Sequence, residues 1–306
     1  MRRSSAPRVR AVIDTDPGID DALALLYAWR SPDMDVRAVT TVAGNVPVDV
    51  ATANVLRLAA LARAGVPRVA AGAAKPLARA LTTATHYHGE DGLGDVGGWP
   101  AIHAEPVGAD AVDVLVAAAR EHGPSLTLVA LGPLTNVAMA VQRDAGAVRG
   151  VGRVVVMGGA VDVPGNVTPT AEFNVHVDPE AAAIVLDAGL PLDLVPLDAT
   201  RQAVLDRARF ETAAARSRAP GASQLVRCTA RGFRVDHARG THGMVLHDPL
   251  AVGAALDPTL IEWEPVKVTV SSAGETRRVR GRPNCRVARR VDADRFIMTF
   301  LERLLP

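Results

Sequence analysis

Four aspartates follow the first apolar run of the chain. They are Asp14, Asp16, Asp20 and Asp21, within the sequence VIDTDPGIDDALAL at residues 12–25. The first two are two residues apart, so their side chains point to the same side of an extended backbone. The last two fall in the first turn of a predicted helix, whose dipole favours anions. Carboxylates this close repel one another unless a cation neutralises them, and a stretch without His or Cys offers only oxygen ligands, which favours Ca²⁺ or Mg²⁺ over zinc.

Further polar groups occur where predicted strands end. Asn45 follows one strand, LGPLTN follows another at 131–136, and a longer group follows a third at 158–174. The sequence HDP at 247–249 opens an Ala-rich helix. In α/β sheets, ligands bind beyond the carboxyl ends of the strands. We therefore expect residues far apart in the sequence to meet at one edge of a sheet.

The elements that would position these residues alternate along the chain. The predicted strands occupy residues 9–14, 35–44, 68–72, 126–132, 153–159 and 192–198. The predicted helices occupy residues 20–31 (with Asp20 near the N-cap), 48–65 (ending at Gly65), 109–123, 134–144 and 179–189. A hairpin at 266–270 and 277–281 and a closing helix at 292–305 complete the chain. This pattern predicts an α/β fold with an open, mostly parallel, Rossmann-like sheet and helices on both faces, in a single domain over residues 1–306.

Composition argues against several classes of partner. The formal net charge of +1 favours neither a nucleic-acid nor a membrane partner. The basic cluster at 277–282 lacks interleaved aromatic residues and is interpreted as a solvated strand face rather than an RNA-binding patch. Cys228 and Cys285 are too few for a disulfide framework and are expected to be ordinary thiols. With no apolar stretch typical of a signal peptide or a membrane span, we expect a cytoplasmic protein.

Taken together, the motifs DTDPGIDD, GN, HGEDG, LGPLTN, GN…EFN and HDP resemble those of the inosine–uridine preferring nucleoside hydrolases. They extend from residue 12 to about residue 250. The resemblance implies a nucleoside hydrolase fold and a calcium-dependent enzyme that cleaves the N-glycosidic bond of ribonucleosides. It also implies a homodimer or a homotetramer.

The resemblance assigns roles by motif position. Asp16, Asp21 and Asp248, together with the backbone carbonyl of Leu131, match the calcium ligands, and Asp16 also matches the general base. The residues that match positions binding the ribose hydroxyls are Asp20, Asn166, Glu172 and Asn174.

Four more residues match secondary positions. Asn45 matches a residue that lines the metal and water site, and His88 matches a pocket histidine. His247 matches the residue proposed to protonate the leaving base, and Asp14 is expected to be a supporting carboxylate. The remaining histidines are interpreted as surface or structural residues.

General chemistry is compatible with this assignment. A divalent cation lowers the pKa of water, and a nearby carboxylate can take the proton. We expect the loop at 85–99 and a second loop at 223–246 to surround the base. The first departs from the family pattern at Tyr87, where an aliphatic residue is commoner. In the second, the candidates for base contact are Phe233, Arg234, His237, Arg239 and His242.

Two alternatives remain open from the sequence. A haloacid-dehalogenase-like Mg²⁺-dependent phosphatase also begins with Asp-x-Asp after its first strand, with Asp14 as nucleophile. That chemistry requires a lysine near the phosphate, and the chain has only Lys75 and Lys267. The other alternative is a catalytically inactive, calcium-dependent nucleoside-binding protein, against which the presence of both Asp16 and His247 argues. No GxGxxG sequence follows the first strand, so a dinucleotide site is not favoured.

Overall fold

A central β-sheet organises the computed structural model, which describes residues 8–63 and 68–306. The strands are β1 (Val9–Thr15), β2 (Met34–Thr41), β3 (Arg68–Ala71), β4 (Leu126–Ala130), β5 (Arg153–Met157), β6 (Leu192–Val195), β7 (Val204–Leu205), β8 (Met244–Val245), β9 (Ile261–Val270), β10 (Thr276–Val279) and β11 (Cys285–Val291). Within the described residues, nine of them form one sheet in the order β10-β9-β11-β6-β5-β4-β1-β2-β3. β7 and β8 form a separate antiparallel pair.

Across the sheet, in the spatial order β3-β2-β1-β4-β5-β6-β11, every strand is parallel to its neighbours. β9 is antiparallel to both β10 and β11. At the centre, Ile13 of β1 lies beside Val39 of β2 and Val129 of β4, and all three side chains are buried. β-branched residues suit strands that are covered on both faces. The predicted α/β fold with a mostly parallel sheet is confirmed.

Helices cover both faces of this sheet. They are α1 (Ile19–Arg30), α2 (Val48–Ala62), α3 (Thr85–His88), α4 (Ala111–His122), α5 (Thr135–Arg143), α6 (Ala145–Arg149), α7 (Phe173–Val177), α8 (Pro179–Asp187), α9 (Leu197–Thr200), α10 (Arg207–Arg216), α11 (Ala222–Ala238), α12 (His247–Leu256) and α13 (Ala293–Leu304). The predicted end of the second helix at Gly65 lies outside the described residues.

Alternate residues of β1 pack into two different hydrophobic cores. Ile13 belongs to the core under α1, α12 and α13, whereas Val12 belongs to the core under α4, α5 and α8. Both side chains are fully buried, and each such burial contributes about 1.5–3 kcal/mol. The two cores hold β1 rigidly, and its carboxyl end delivers the first two aspartates.

Two expectations need correction. Residues 223–246 are not mainly a loop, because α11 occupies most of them and buries Leu225, Cys228 and Phe233 at helical spacing. β11 was not expected, yet it joins β9 to β6 within the sheet. Asp20 lies near the N-cap of α1 as expected: the N-cap itself is Gly18, and Asp21 closes the cap by accepting the Gly18 backbone N–H at 2.9 Å.

Other expectations agree with the structure. The hairpin is β9–β10, and β10 lies at the edge of the sheet with Arg278 paired to Glu264, as expected of a solvated strand face. Cys228 and Cys285 are free and buried. Among the described residues, no helix has the length and apolar character needed to cross a membrane. The single domain over residues 1–306 stays a prediction.

Candidate active site

The four N-terminal aspartates lie at the carboxyl end of β1 and the start of α1. Asp14, Asp16 and Asp21 are fully buried, and Asp20 is 8% exposed. Asp21 is held by the Thr15 hydroxyl at 2.5 Å in addition to the Gly18 N–H. Burying several carboxylates is costly unless each one is compensated.

Asp14 lies beneath the site and is held by neutral donors. Its Oδ1 accepts hydrogen bonds from the Thr40 hydroxyl at 2.5 Å and from the Asn136 amide at 2.8 Å. Burial raises the pKa of Asp14 to about 7, although these two hydrogen bonds act in the opposite direction. This position agrees with a supporting carboxylate, which leaves Asp16 as the next carboxylate toward the cavity.

Asp16 is enclosed between two glycines. A Cβ on Gly44 would lie 2.1 Å from Asp16 Oδ2, and a Cβ on Gly132 would lie 2.5 Å from Asp16 Oδ1. Oδ2 accepts the Asn45 backbone N–H at 2.6 Å, whereas Oδ1 is buried and has no hydrogen-bond partner among the described residues. Burial, followed by the charge of Asp21, raises the pKa of Asp16 well above its usual range. A carboxylate oxygen in this state calls for a cation or a proton.

Three neighbouring carboxylates form the acidic cluster Asp20, Asp21 and Asp248, whose ligand oxygens lie within 4.8 Å of one another. Asp248 enters from the first turn of α12, about 230 residues after the other two. Burial and the neighbouring aspartates raise the pKa of both Asp20 and Asp248. Buried oxygens that repel one another in this way fit a hard divalent cation, which would remove the repulsion.

Amide side chains connect this cluster to the rest of the site. Asn45 donates from Nδ2 to Asp21 Oδ2 at 3.1 Å, which couples the Asp16 and Asp21 carboxylates through one residue. Asn174 donates from Nδ2 to the Leu131 carbonyl at 2.6 Å. Leu131, just beyond β4, and Asn174 therefore line the same cavity as Asp20 and Asp248.

A second polar group is fixed by the start of α7. Glu172 caps this helix and accepts the backbone N–H groups of Gly159, Asn174 and Val175 at 2.9–3.1 Å. Burial raises the pKa of Glu172 although these hydrogen bonds oppose the shift. Asn166 accepts the Phe173 N–H at 3.0 Å. These contacts hold both side chains in place before any ligand arrives.

Two histidines also line the cavity. His88 accepts the Ile19 backbone N–H at Nδ1, at 2.9 Å, so its ring proton is on Nε2. The Nδ1 atom of His247 lies 2.8 Å from the Thr200 hydroxyl. Burial lowers the pKa of His88 to about 3 and that of His247 to about 4, with nearby cationic groups adding to both shifts. Both rings are therefore neutral at physiological pH.

One cavity brings most of these groups together. Of the residues expected at the site from the sequence, those that line it are Asp20, Asn45, His88, Leu131, Asn166, Glu172, Asn174, His247 and Asp248. Asp16 and Asp21 are buried beside it and connect to its lining through Asn45. The arrangement combines carboxylates that could hold a cation with amide, carboxylate and imidazole groups that could bind hydroxyls, and such a set can support hydrolysis of a sugar derivative.

A family model described as inosine-uridine preferring nucleoside hydrolase matches residues 11–298. The chain belongs to this family. It is 38% identical over 312 residues to the inosine-uridine preferring nucleoside hydrolase of Leishmania major, covering 96% of this chain and 98% of the relative. It is 41% identical over 271 residues to the pyrimidine-specific ribonucleoside hydrolase RihA of Enterobacter sp. (strain 638), covering 86% and 84%. The solved structure of a plant nucleoside hydrolase superposes with a TM-score of 0.92 at 34% identity, covering 98% of this chain and 99% of that one.

Membership in the nucleoside hydrolase family confirms the resemblance seen in the motifs. The protein is an enzyme, an N-ribohydrolase acting on the N-glycosidic bond of ribonucleosides. The family is metal-dependent, and the acidic cluster of this chain could hold such an ion. The match over nearly the whole chain leaves the phosphatase alternative without support.

Sequence reasoning missed part of the wall of this nucleoside hydrolase pocket. His86, interpreted as structural, lines the cavity, as do Met157, Val167 and Phe173. Val167 and Phe173 are next to motif residues, and Met157 ends β5 just before the motif group at 158–174. Their position beside the motifs was the signal in the sequence that could have identified them as cavity residues. Of the five base-contact candidates in residues 223–246, only Arg239 reaches the cavity. The other four line a separate surface pocket with Asp206 and Arg207.

Proposed function

We propose that this nucleoside hydrolase is calcium-dependent and uses Asp16 as the general base. The observation that carries the proposal is the buried Oδ1 atom of Asp16, which has no partner in the described part of the chain and lies beside the acidic cluster. Gly44 and Gly132 can carry no side chain, because the Asp16 carboxylate occupies the space that a Cβ would need.

The proposed calcium ligands are the side chains of Asp16, Asp21 and Asp248 and the carbonyl of Leu131. Calcium accepts six to eight oxygen ligands in flexible geometry, whereas magnesium requires a near-octahedral site and keeps several waters. A site made of carboxylates, a carbonyl and substrate hydroxyls therefore suits calcium better. When bound, the ion would supply positive charge that lowers the pKa of an adjacent water.

The proposed ribose site consists of Asp20, Asn166, Glu172 and Asn174, with Asn45 beside the metal. Carboxylate and amide groups recognise hydroxyls because they provide fixed acceptors and donors. The hydrogen bonds that fix Glu172 and Asn166 to the start of α7 hold these groups in position, which lowers the entropy cost of orienting the sugar.

The proposed chemistry is a single displacement at the sugar carbon. The bond between that carbon and the base nitrogen breaks, and its electron pair leaves with the base. The oxygen of a water molecule bonds to the carbon, and the Asp16 carboxylate accepts the water proton. We assign His247 as the donor to the departing base, and both His247 and His88 line the cavity.

We further propose a homodimer or homotetramer that works in the cytoplasm on small ribonucleosides. Size-exclusion chromatography with light scattering tests the assembly, and a mass of one chain, 32.0 kDa, would contradict it.

A panel of purine and pyrimidine ribonucleosides, analysed by chromatography for free base, tests the function. We expect base and ribose in equal amounts with calcium, loss of product after treatment with a chelator, and recovery when calcium is returned. Full turnover in the chelator would contradict calcium dependence. Tight nucleoside binding without any product, with calcium supplied, would instead identify a binding protein.

A further inference from the structure

Thr200 is a buried residue whose hydroxyl faces the imidazole of His247. It ends the short helix α9, directly after β6, and its side chain is fully buried. Its backbone N–H is already used, since it donates to the Pro196 carbonyl at 3.0 Å. The hydroxyl lies 2.8 Å from His247 Nδ1. This contact joins residues 47 positions apart in the sequence.

The direction of this hydrogen bond follows from what else the hydroxyl can reach. Within residues 8–63 and 68–306, His247 Nδ1 is its one hydrogen-bond partner. If the hydroxyl accepted from Nδ1, its own proton would be buried without an acceptor, at a cost of about 1–3 kcal/mol. The hydroxyl therefore donates to Nδ1. A neutral imidazole that accepts at Nδ1 carries its proton on Nε2.

We propose that Thr200 is a positioning residue that fixes His247 in the tautomer with its proton on Nε2, so that this N–H is presented to the departing base. The inference rests on the proposed role of His247. With Nδ1 engaged by Thr200, Nε2 is the nitrogen left to face the cavity. Its N–H donates a hydrogen bond to the base nitrogen that receives the electron pair of the broken bond. The imidazole keeps its proton, and solvent protonates the base after release.

The segment around Thr200 is anchored in a way that suits this role. Arg201 donates to the carbonyls of Pro164 and Gly165 at 2.8 and 2.9 Å, next to the ribose-site residue Asn166. Asp198 accepts two backbone N–H groups from the same loop, both at 2.9 Å. Because α9 is tied to the loop at 158–172, the Thr200 hydroxyl has a fixed place relative to both the sugar and the base sides of the cavity.

A double-mutant cycle tests the coupling. The variants are Thr200→Val, which removes the hydroxyl at nearly constant size, Thr200→Ser, which keeps it, His247→Ala, and the Thr200→Val/His247→Ala pair. Losing one orienting hydrogen bond should lower kcat for nucleosides about tenfold in Thr200→Val, while KM changes little and Thr200→Ser stays near wild type. In the His247→Ala background, Thr200→Val should change kcat by less than about twofold.

Thr229→Val is the matched control. Thr229 is also fully buried, and its hydroxyl donates to the Leu225 carbonyl at 2.9 Å within α11. The Thr229→Val substitution makes the same chemical change outside the site, so the activity of this variant should equal that of wild type. A ribofuranoside with p-nitrophenolate as leaving group provides a second readout. This group departs as a stable anion, so its hydrolysis should be unchanged in Thr200→Val.

The tautomer can be read in the unmodified protein. Two-bond ¹H–¹⁵N spectra of protein labelled with ¹⁵N-histidine, with His247 assigned by its loss in His247→Ala, should show a protonated Nε2. A protonated Nδ1 of His247 in the unmodified protein would overturn the inference. Equal losses for Thr200→Val with and without His247 would also overturn it. If His247→Ala itself left nucleoside turnover unchanged, the proposed role of His247 would fail instead.

Discussion

Asp16→Asn removes one negative charge and one proton acceptor while keeping the shape of the side chain. An amide oxygen in place of Oδ2 can still accept the Asn45 N–H, which lies at 2.6 Å in the native protein. The amide NH₂ then takes the place of Oδ1, which has no hydrogen-bond partner among the described residues, so that its N–H groups must find acceptors among the neighbouring oxygens or cost about 1–3 kcal/mol. Removing a buried charge beside Asp21 acts in the opposite direction. The two effects should largely cancel in the absence of calcium.

The expected thermal shifts follow from the size of the chain. With about 2.1 cal/mol/K of unfolding entropy per residue, 306 residues give about 0.6 kcal/mol per kelvin. In a chelator, the Tm of Asp16→Asn should therefore lie within about 3 °C of wild type. Calcium at a hundred times its Kd should stabilise wild type by about 2.7 kcal/mol, or about 4 °C. The variant lacks one ligand and should lose most of this calcium-dependent shift.

Activity gives the sharper contrast. An amide cannot take the proton of the attacking water, and a general base contributes a factor of about 10²–10⁴. We expect kcat, measured as free base by chromatography at saturating calcium, to fall by at least about 10³-fold because the ligand is lost as well. Asp35→Asn is the control, since Asp35 is a partly exposed residue of β2 whose carboxylate lies 3.5 Å from Arg37. A variant at position 16 with kcat within tenfold of wild type and a normal calcium shift would refute the reasoning.

Three further outcomes are expected. Gly132→Ala puts a Cβ 2.5 Å from the native position of Asp16 Oδ1, so kcat should fall about 10²-fold while circular dichroism stays native; full activity would show that the enclosure is not needed. A 2′-deoxynucleoside should react about 10⁴-fold more slowly than its ribonucleoside in kcat/KM, because groups built for the hydroxyl are left unpaired; equal rates would remove the ribose-site assignment. Phe300→Ala removes a buried ring whose centroid lies 5.4 Å from that of Tyr27. Scanning calorimetry should show a free energy of unfolding lower by about 3–5 kcal/mol, while kcat at 25 °C is unchanged. A Tm equal to that of wild type would contradict the packing argument.

The sheet and its helices could be predicted where hydrophobic periodicity is simple. β1 reads as a buried strand because consecutive apolar residues cover both of its faces. β11 could not be found in this way, because arginines interrupt its apolar residues. One of them, Arg286, bonds the buried Asp193 and lies 5.3 Å from the Trp263 ring, so a charged residue takes part in packing. Only the folded chain reveals such a contact.

The loop prediction for residues 223–246 was wrong for a related reason. Their arginines and three glycines resemble a solvated loop, but α11 packs against Phe210 of α10 and Met244 of β8, and this packing favours a helix. Helix propensity within the segment contains no information about its packing against Phe210.

The sequence also allowed a candidate site to be proposed at the level of residue type. Clustered aspartates after a strand point to a cation, since a cation relieves their repulsion while they stay ionised. The enclosure of Asp16 by Gly44 and Gly132 could not be predicted, because both glycines come from other segments of the chain. The contact between Thr200 and His247 likewise depends on how α9 and α12 meet. Such contacts are set by the packing of elements and leave no local pattern.

A crystal structure of the protein grown with calcium, with data collected to reveal the anomalous signal of the ion, tests the central claim most directly. The account predicts one ion about 2.3–2.6 Å from oxygens of Asp16, Asp21 and Asp248 and from the Leu131 carbonyl. A structure in which these side chains diverge, or in which the ion binds away from Asp16, would contradict it.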